Sequence, residues 1–544
     1  VFYSRFIGKV VLLSRGRKSR IIKMKMWLLS LLLVVMVTVK TDADVPPPER
    51  PYNILMLVPL PSKSHRNVFL PLANALADRG HKITLLSMDD PVTNHPNIVE
   101  YMHLKREELE EREEFKGHSM FDHRANPSGA FSMLGTVIEI TAQNLYNFPH
   151  IKELYARRNE FDLVVIDHMF NEVVYPFAHE KTWITIATVG MDYRQSAIYG
   201  NVQNPAFSPN TLASYPRPYT LVNRIKNVFT MILFAQFWRR NVVPGIETEL
   251  AKHFPNLPSM LEIERNQSLV LMNSHLTFDM PYPLLPNQVE VGGMHCRPSK
   301  PLPKKMLDWV EGSGRAGVVY FSLGSVAKGD TLPAKYRALF VEAFRQLEQR
   351  VIWKYEQDLP GLSDNVLLTD WAPQQDILGH PSVKVFISHC GLLSTQESVY
   401  HGTPILGVPI FGDQPKNAKM IQMKNFGLHL EWEELTIELI VDSLREIINN
   451  DKYQQSISVA SREFRDQPQT PVERAVFWTE YVIRHQGAPH LKSPSVQLSW
   501  IQYFMIDAII VLLVGLIVFL KLLIVLVRKI KNMLCGGRSK AKSD

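Results

Sequence analysis

The chain has 544 residues, enough for two ordinary domains with separate cores, and its 46% hydrophobic and 21% charged content is that of a folded protein. Of the net charge of +7, the first 25 residues contribute +8 and the last 17 contribute +5, so residues 26–527 carry −6. A mildly acidic body argues against a nucleic-acid partner, and three cysteines (Cys296, Cys390, Cys535) without a C-x-x-C pair exclude a disulfide framework and structural zinc.

Residues 1–23 precede the first natural start, Met24 or Met26, and are expected to be a leader foreign to the native protein. Residues 24–43 have the layout of a secretory signal peptide: Lys23 and Lys25, an apolar run from Trp27 to Val39, then small and polar residues with cleavage near Ala43. An uncleaved anchor is the alternative, although the run is short for one.

The region 45–295 alternates strand and helix signals. "NILMLVPL" is a short apolar run of the kind found in buried parallel strands, "VFLPLANALADRG" has helical periodicity, and "HKITLLS" and "FDLVVIDHM" are further strands. Between 195 and 260 the chain is rich in Pro, Asn, Met and aromatics, as expected around a variable pocket, and Asn266-Gln267-Ser268 is a glycan acceptor sequence if the body is lumenal. A Pro- and Lys-containing linker at 296–316 leads to a second series of strands at 317–475, and a return segment follows at 476–500. The expected class is α/β, with two doubly wound parallel sheets facing across a cleft and ligands beyond the carboxyl ends of the strands.

Residues 501–528 are expected to cross a membrane, since twenty apolar residues from Ala508 to Val527 span about 30 Å. Lys521 lies near one end, where its side chain can snorkel, and Arg528, Lys529 and Lys531 mark the tail at 529–544 as cytosolic. Lys540 and Lys542, fifth and third from the end, resemble a dilysine retrieval signal of the endoplasmic reticulum. Together these signals describe a single-pass type I protein with a lumenal body.

The most informative stretch is "HCGLLSTQE" at 389–397. It joins the strand "VKVFIS" to a helix expected to end at Gly402, so His389, Cys390 and Gly391 form the turn. Free N–H groups and the positive end of a helix suit a phosphate, with Gly391 allowing close approach, Ser394 adding a hydroxyl and His389 a donor. Glu397 lies too far along the helix for phosphate and suits vicinal ribose hydroxyls. A cysteine nucleophile or a metal would each need partners that this stretch lacks.

Over some fifty residues, "WAPQQDILGHPSVKVFISHCGLLSTQESVYHGTPILGVPIFGDQPKNAKMI" resembles the donor-binding signature of the UDP-glycosyltransferases: W-x-P-Q, H-x-G-x-x-S-x-x-E and a terminal D-Q. The resemblance extends over nearly the whole mature chain and is to the membrane-bound animal branch, whose fold is GT-B with an N-terminal acceptor domain and a C-terminal donor domain. It implies that Trp371 stacks on uracil, Gln374 binds near the nucleoside, and Glu397 holds the ribose. It also implies that His389 and Ser394 bind the diphosphate, that Asp413 and Gln414 read the transferred sugar, and that Ser325 of "SLGS" faces the diphosphate. Leu393 stands where the soluble plant enzymes have Asn, which removes one phosphate contact.

The same resemblance puts His65 of "VPLPSKSHRN" at the general-base position, and its intrinsic pKa of about 6.5 suits that task near neutral pH. Asp167 matches its acidic partner; Asp162 is the nearby alternative. The implied reaction is inverting, metal-independent transfer of a hexose from a UDP-sugar, the co-substrate, with no permanently bound cofactor. Glucose is favoured over glucuronic acid because no Arg or Lys in these motifs stands out as a carboxylate partner. The acceptor is expected to be a small lipophilic phenol, alcohol or acid, with Tyr193, Tyr199, Phe229, Met231, Phe234 and Phe237 around it. Two other readings share the fold: a UDP-sugar epimerase, and a silent binder of lipophilic ligands. A homo-oligomer is compatible with the sequence.

Overall fold

Among the described residues, thirteen short strands form two separate sheets, and every strand pair in both is parallel. The computed structural model describes residues 46–103, 127–169, 171–208, 218–324 and 331–536, with a few isolated positions between 108 and 124. Residues 48–544 form one unit, separate from residues 1–47. The expected leader, the signal peptide, Ser325, Lys540 and Lys542 lie outside the described residues.

The first sheet contains β1 (Asn53–Leu57), β2 (Lys82–Ser87), β3 (Ile98–Met102), β4 (Leu163–Asp167), β5 (Trp183–Ala187), β6 (Val270–Met272) and β7 (Gln288–Glu290), in the order β3-β2-β1-β4-β5-β6-β7. The second contains β8 (Val318–Ser322), β9 (Arg350–Lys354), β10 (Val366–Thr369), β11 (Val383–Ser388), β12 (Ile405–Gly407) and β13 (Gly427–His429), in the order β10-β9-β8-β11-β12-β13. Both are doubly wound, so the chain reverses direction across each sheet once, between β1 and β4 and between β8 and β11. The central strands read as unbroken apolar runs because helices cover both faces: NILML, LVVID, WITIA and VVYFS are almost wholly buried.

Two parts of the chain depart from the expected boundaries. Within the segment read as a linker, Lys304–Glu311 is a helix whose Met306 and Val310 pack with Val318, Tyr320 and Phe386, so this part belongs to the second sheet's core. The apolar C-terminal helix runs Ile506–Gly536 rather than starting at 501, because Met505 takes a left-handed φ of 53° and separates it from the short helix Trp500–Tyr503. Residues Ile506–Leu534 are long and apolar enough to cross a membrane.

The helix Pro471–Arg484 returns to the first sheet's side. It opens with a capping box between Thr470 and Glu473. Its buried Glu480 accepts from Arg79 Nε (2.6 Å) and Nη2 (3.0 Å), from Arg484 Nη1 (3.2 Å), and lies 3.0 Å from His81 Nε2. Burial would raise this carboxyl, but the bonds from His81 and Arg79 outweigh it and hold it below the usual range.

Candidate active site

His65 and Asp167 lie where the first sheet reverses, and His389, Gly391, Ser394 and Glu397 follow β11 where the second does. His65 lies in the first turn of the helix Lys63–Asp78, just after β1, where Ser62 caps the helix by accepting from His65 N at 3.4 Å. Asp167 is the last residue of β4, the neighbour of β1, and its Oδ2 is hydrogen-bonded to His65 Nδ1. Thr188, one residue past β5, donates from Oγ1 to Asp167 Oδ1 (3.1 Å) and lies 3.0 Å from His65 Nδ1. Asp167 is fully enclosed, whereas the His65 side chain keeps 16% of its surface. Burial alone would lower the His65 pKa; the adjacent Asp167 carboxylate more than reverses this, with Asp413 adding to it, and the net shift is upward.

Asp162, the alternative partner, sits at the other end of β4. It takes Arg50 Nη2 at 2.7 Å and Asn53 N at 2.8 Å, a structural pairing far from His65.

On the second sheet, β8 ends at Ser322 and the chain turns through Gly324, whose φ of +86° is a glycine conformation. The neighbouring β11 ends at Ser388, and the His389 ring then packs against both Gly324 and Gly391; a Cβ on either would fall within 2.7 Å of the ring. Burial pushes His389 down to about 4, so the ring is neutral, and its buried Nδ1 has no partner among the described residues. Cys390 is buried with φ of 63°, and burial drives its thiol far above the ordinary range, which disqualifies it as a nucleophile.

The helix Leu392–His401 starts at Gly391 and ends at Gly402 in the left-handed conformation, as expected. Gln374 ties this region together: its amide nitrogen donates to Ser394 Oγ (3.0 Å) and to Glu397 Oε2, and its oxygen accepts from Tyr320 OH (3.2 Å). Burial raises Glu397 to about 7 against the opposing bonds from Gln374 and Gln375. A cavity of about 240 Å³ opens beside it, bounded by Asn67, Pro71 and Asn74 on one side and by His295, Gln375, Leu393 and Glu397 on the other. Pro71 cannot donate to the Asn67 carbonyl one turn back, which leaves that oxygen without its helical bond. Trp371 follows β10 and is 63% exposed, available for stacking.

Asp413 precedes the helix Gln414–Met423 and accepts from Asn417 Nδ2 at 2.6 Å; burial raises its carboxyl. Gln414 Oε1 is occupied by Ile410 N (2.7 Å) and Phe411 N (2.9 Å), so only its amide NH2 can address a ligand. Of the six residues expected around an acceptor, the structure brings Tyr193, Met231 and Phe234 together, with the Tyr193 and Phe234 ring centroids 6.4 Å apart, and sets the other three elsewhere. Tyr199 is a core residue bonded to Thr185, Phe229 and Phe237 face outward, and Tyr193 donates to Met231 O at 2.6 Å. Asn266 is exposed at the end of the helix Met260–Arg265, while Ser268 of its sequon is buried.

Sequence reasoning missed Thr188, Lys354 and Asn417. Lys354 ends β9 and donates to Gly324 O at 3.3 Å beside its partner Glu356. Its position at the carboxyl end of a strand was the available signal.

Two doubly wound parallel sheets joined in one chain, with polar clusters at both reversal points, make up the GT-B fold. Solved structures share this fold. A UDP-glucosyltransferase from Polygonum tinctorium, in complex with 3,4-dichloroaniline, aligns at TM-score 0.56 with 16% identity, covering 80% of this chain and 99% of that one. The calicheamicin glycosyltransferase CalG4 aligns at 0.53 with 18% identity, covering 81% and 100%. A family profile described as "UDP-glucoronosyl and UDP-glucosyl transferase" matches residues 55–540. UDP-glycosyltransferase UGT5 of Dactylopius coccus is 34% identical over 473 residues, 84% of this chain and 88% of that protein. UDP-glucosyltransferase 2 of the same insect is 32% identical (85% and 90%), and human UDP-glucuronosyltransferase 2A3 is also 32% identical (79% and 84%). The chain belongs to the UDP-glucuronosyl and UDP-glucosyl transferase family, and it is a UDP-glycosyltransferase.

Proposed function

We propose that this enzyme transfers glucose, with inversion and without a metal, from UDP-glucose to a hydroxyl of a small lipophilic acceptor, with His65 as general base. The observation that carries the proposal is the His65–Asp167–Thr188 cluster at the reversal point of the first sheet. Asp167 fixes the tautomer with the proton on Nδ1, which leaves the Nε2 lone pair for the acceptor O–H. As His65 Nε2 takes that proton, the acceptor oxygen bonds to the anomeric carbon, the bond from that carbon to the β-phosphate oxygen breaks, and UDP departs. Asp167 stabilises the imidazolium that results.

The leaving diphosphate would be held by the amino end of the helix Leu392–His401, by neutral His389 and by Ser394, with Ser325 expected in the facing loop. Glu397 and Gln374 would take the ribose hydroxyls, Trp371 the uracil face, and Asp413 with the Gln414 amide the sugar hydroxyls. Relatives of equal identity carry glucosyl and glucuronosyl names, so overall similarity does not choose the donor. Two nearby cations favour glucose because each already has a carboxylate: Lys354 pairs with Glu356, and Lys416 lies 3.5 Å from Asp279.

The apolar helix at Ile506–Leu534 would anchor the protein, with the body and a glycan on Asn266 in the lumen of the endoplasmic reticulum and the basic tail in the cytosol. The test compares UDP-glucose with UDP-glucuronic acid as donors to simple phenols, in membranes carrying the full chain. Transfer from UDP-glucose alone supports the assignment. Transfer from UDP-glucuronic acid alone overturns the donor, and UDP binding with no transfer would favour a silent binder.

A further inference from the structure

Asn273 links the two halves of the candidate site. It follows β6, is fully buried, and has a partner for every polar group it carries. Its N–H donates to Ala187 O at 3.0 Å, which extends the pairing of β5 with β6, and its Oδ1 accepts from Gly293 N at 3.3 Å. The other two groups reach in different directions. Nδ2 donates to Thr188 O at 2.9 Å, beside the first sheet's dyad, and the backbone oxygen accepts from Gln396 Nε2 at 3.3 Å, on the second domain.

Both ends of this link adjoin residues with a chemical task. Thr188 donates from its hydroxyl to Asp167 Oδ1 and lies 3.0 Å from His65 Nδ1. Gln396 immediately precedes Glu397 on the helix Leu392–His401. Thr188, Asn273 and Gln396 are all fully buried, so breaking one of these bonds leaves a polar atom that water cannot satisfy. Another tie to the same helix, His295 Nε2 to Leu393 O at 3.2 Å, does not pass through Thr188.

Transfer needs the two halves in register, because the base stands on one sheet and the donor site on the other. A misplacement of about 1 Å between reacting groups can cost on the order of 10²-fold in rate. On the reading of His65 as general base, we propose that Asn273 and Gln396 are positioning residues for the transfer. They hold the Thr188–Asp167–His65 cluster against the donor helix, so that His65 Nε2, the acceptor oxygen and the anomeric carbon line up. Both are enclosed and act through Thr188 and the helix rather than on the substrates.

The test measures transfer to a phenol, from whichever of UDP-glucose and UDP-glucuronic acid the unmodified enzyme uses, in membranes carrying the full chain. The variants are Gln396→Met, Asn273→Ala and the two combined, with UDP binding measured on each preparation. Each single change should lower kcat by about 10- to 100-fold while UDP affinity and the acceptor KM stay within about twofold. The two links act in series, so the combined variant should be no worse than the worse single one. Unchanged kcat in Gln396→Met would overturn the proposal, and so would a loss of UDP affinity matching the loss of rate, or effects that multiply in the combined variant. Met matches Gln in length and is apolar, so Gln396→Met alone decides the matter if Asn273→Ala does not fold. His65→Ala is run in parallel. Transfer that survives there refutes the base, whereas transfer lost there but intact in Gln396→Met refutes the positioning role alone.

Discussion

The His389 ring fills the space that a side chain on Gly324 would need, so that a Cβ there would fall 2.7 Å from its Cε1. The two residues belong to the neighbouring strand ends of the second sheet, and their fit sets the shape of the loop proposed to hold the diphosphate. Gly324→Ala combines that clash with a φ of +86°, a backbone conformation that costs about 1–2 kcal/mol for a residue with a Cβ. The expected result is weaker UDP binding, measured calorimetrically, with a higher KM for the donor and little change in KM for the acceptor.

The His65–Asp167 pair makes the reaction pH-dependent with a defined sign. A base must be neutral to act, and His65 is held above its ordinary value, so kcat/KM should rise with pH through a midpoint above about 6.5. Asp167→Asn removes the carboxylate that raises the ring. The midpoint should then move to lower pH even as the maximal rate falls, a split that simple misfolding would not produce.

Glu397 carries a separate pH signature. Its carboxyl titrates at about 7 because it is buried, so it is neutral below that pH and a carboxylate above it. A carboxylate accepts from both ribose hydroxyls, so UDP affinity should increase as pH rises through about 7 and stay flat in Glu397→Gln. The unfolded chain binds fewer protons here than the folded one, so this group lowers stability as pH rises from about 4.5 to 7. Glu397→Gln should therefore raise the melting temperature at pH 8, by up to about 3 kcal/mol in free energy.

Glu480 acts in the opposite sense. Its folded pKa is depressed, so its contribution is present above the unfolded carboxyl range and lost as pH falls through the folded value. Glu480→Ala leaves Arg79 and His81 without their acceptor and should cost about 3 kcal/mol or more. Thermal unfolding of the full chain at pH 7 and at pH 3 checks both the size and the sign.

Much of this architecture is legible in the sequence. Strands buried on both faces read as unbroken apolar runs, and the ends of the helix Leu392–His401 are marked by Gly391 and Gly402. Pairings across long separations are less legible. His65 and Asp167 are 102 residues apart, and periodicity alone could not decide between Asp162 and Asp167 at opposite ends of one strand. Thr188 is a common residue in a common place, visible only once β5 is set beside β4. The stretch 221–237 shows the limit most clearly. Its helical spacing establishes an apolar face, but nothing local says whether that face looks inward at a ligand or outward, and for Phe229 and Phe237 it looks outward.

The central claim is that His65 removes the acceptor proton. The most direct test is transfer from UDP-glucose to a phenol by membranes carrying His65→Ala, with UDP binding measured on the same preparation. The account predicts a fall of about 10²–10⁴-fold in kcat with UDP affinity unchanged, the range expected for loss of a general base. Transfer that continues at the unmodified rate while UDP binding is intact would contradict it.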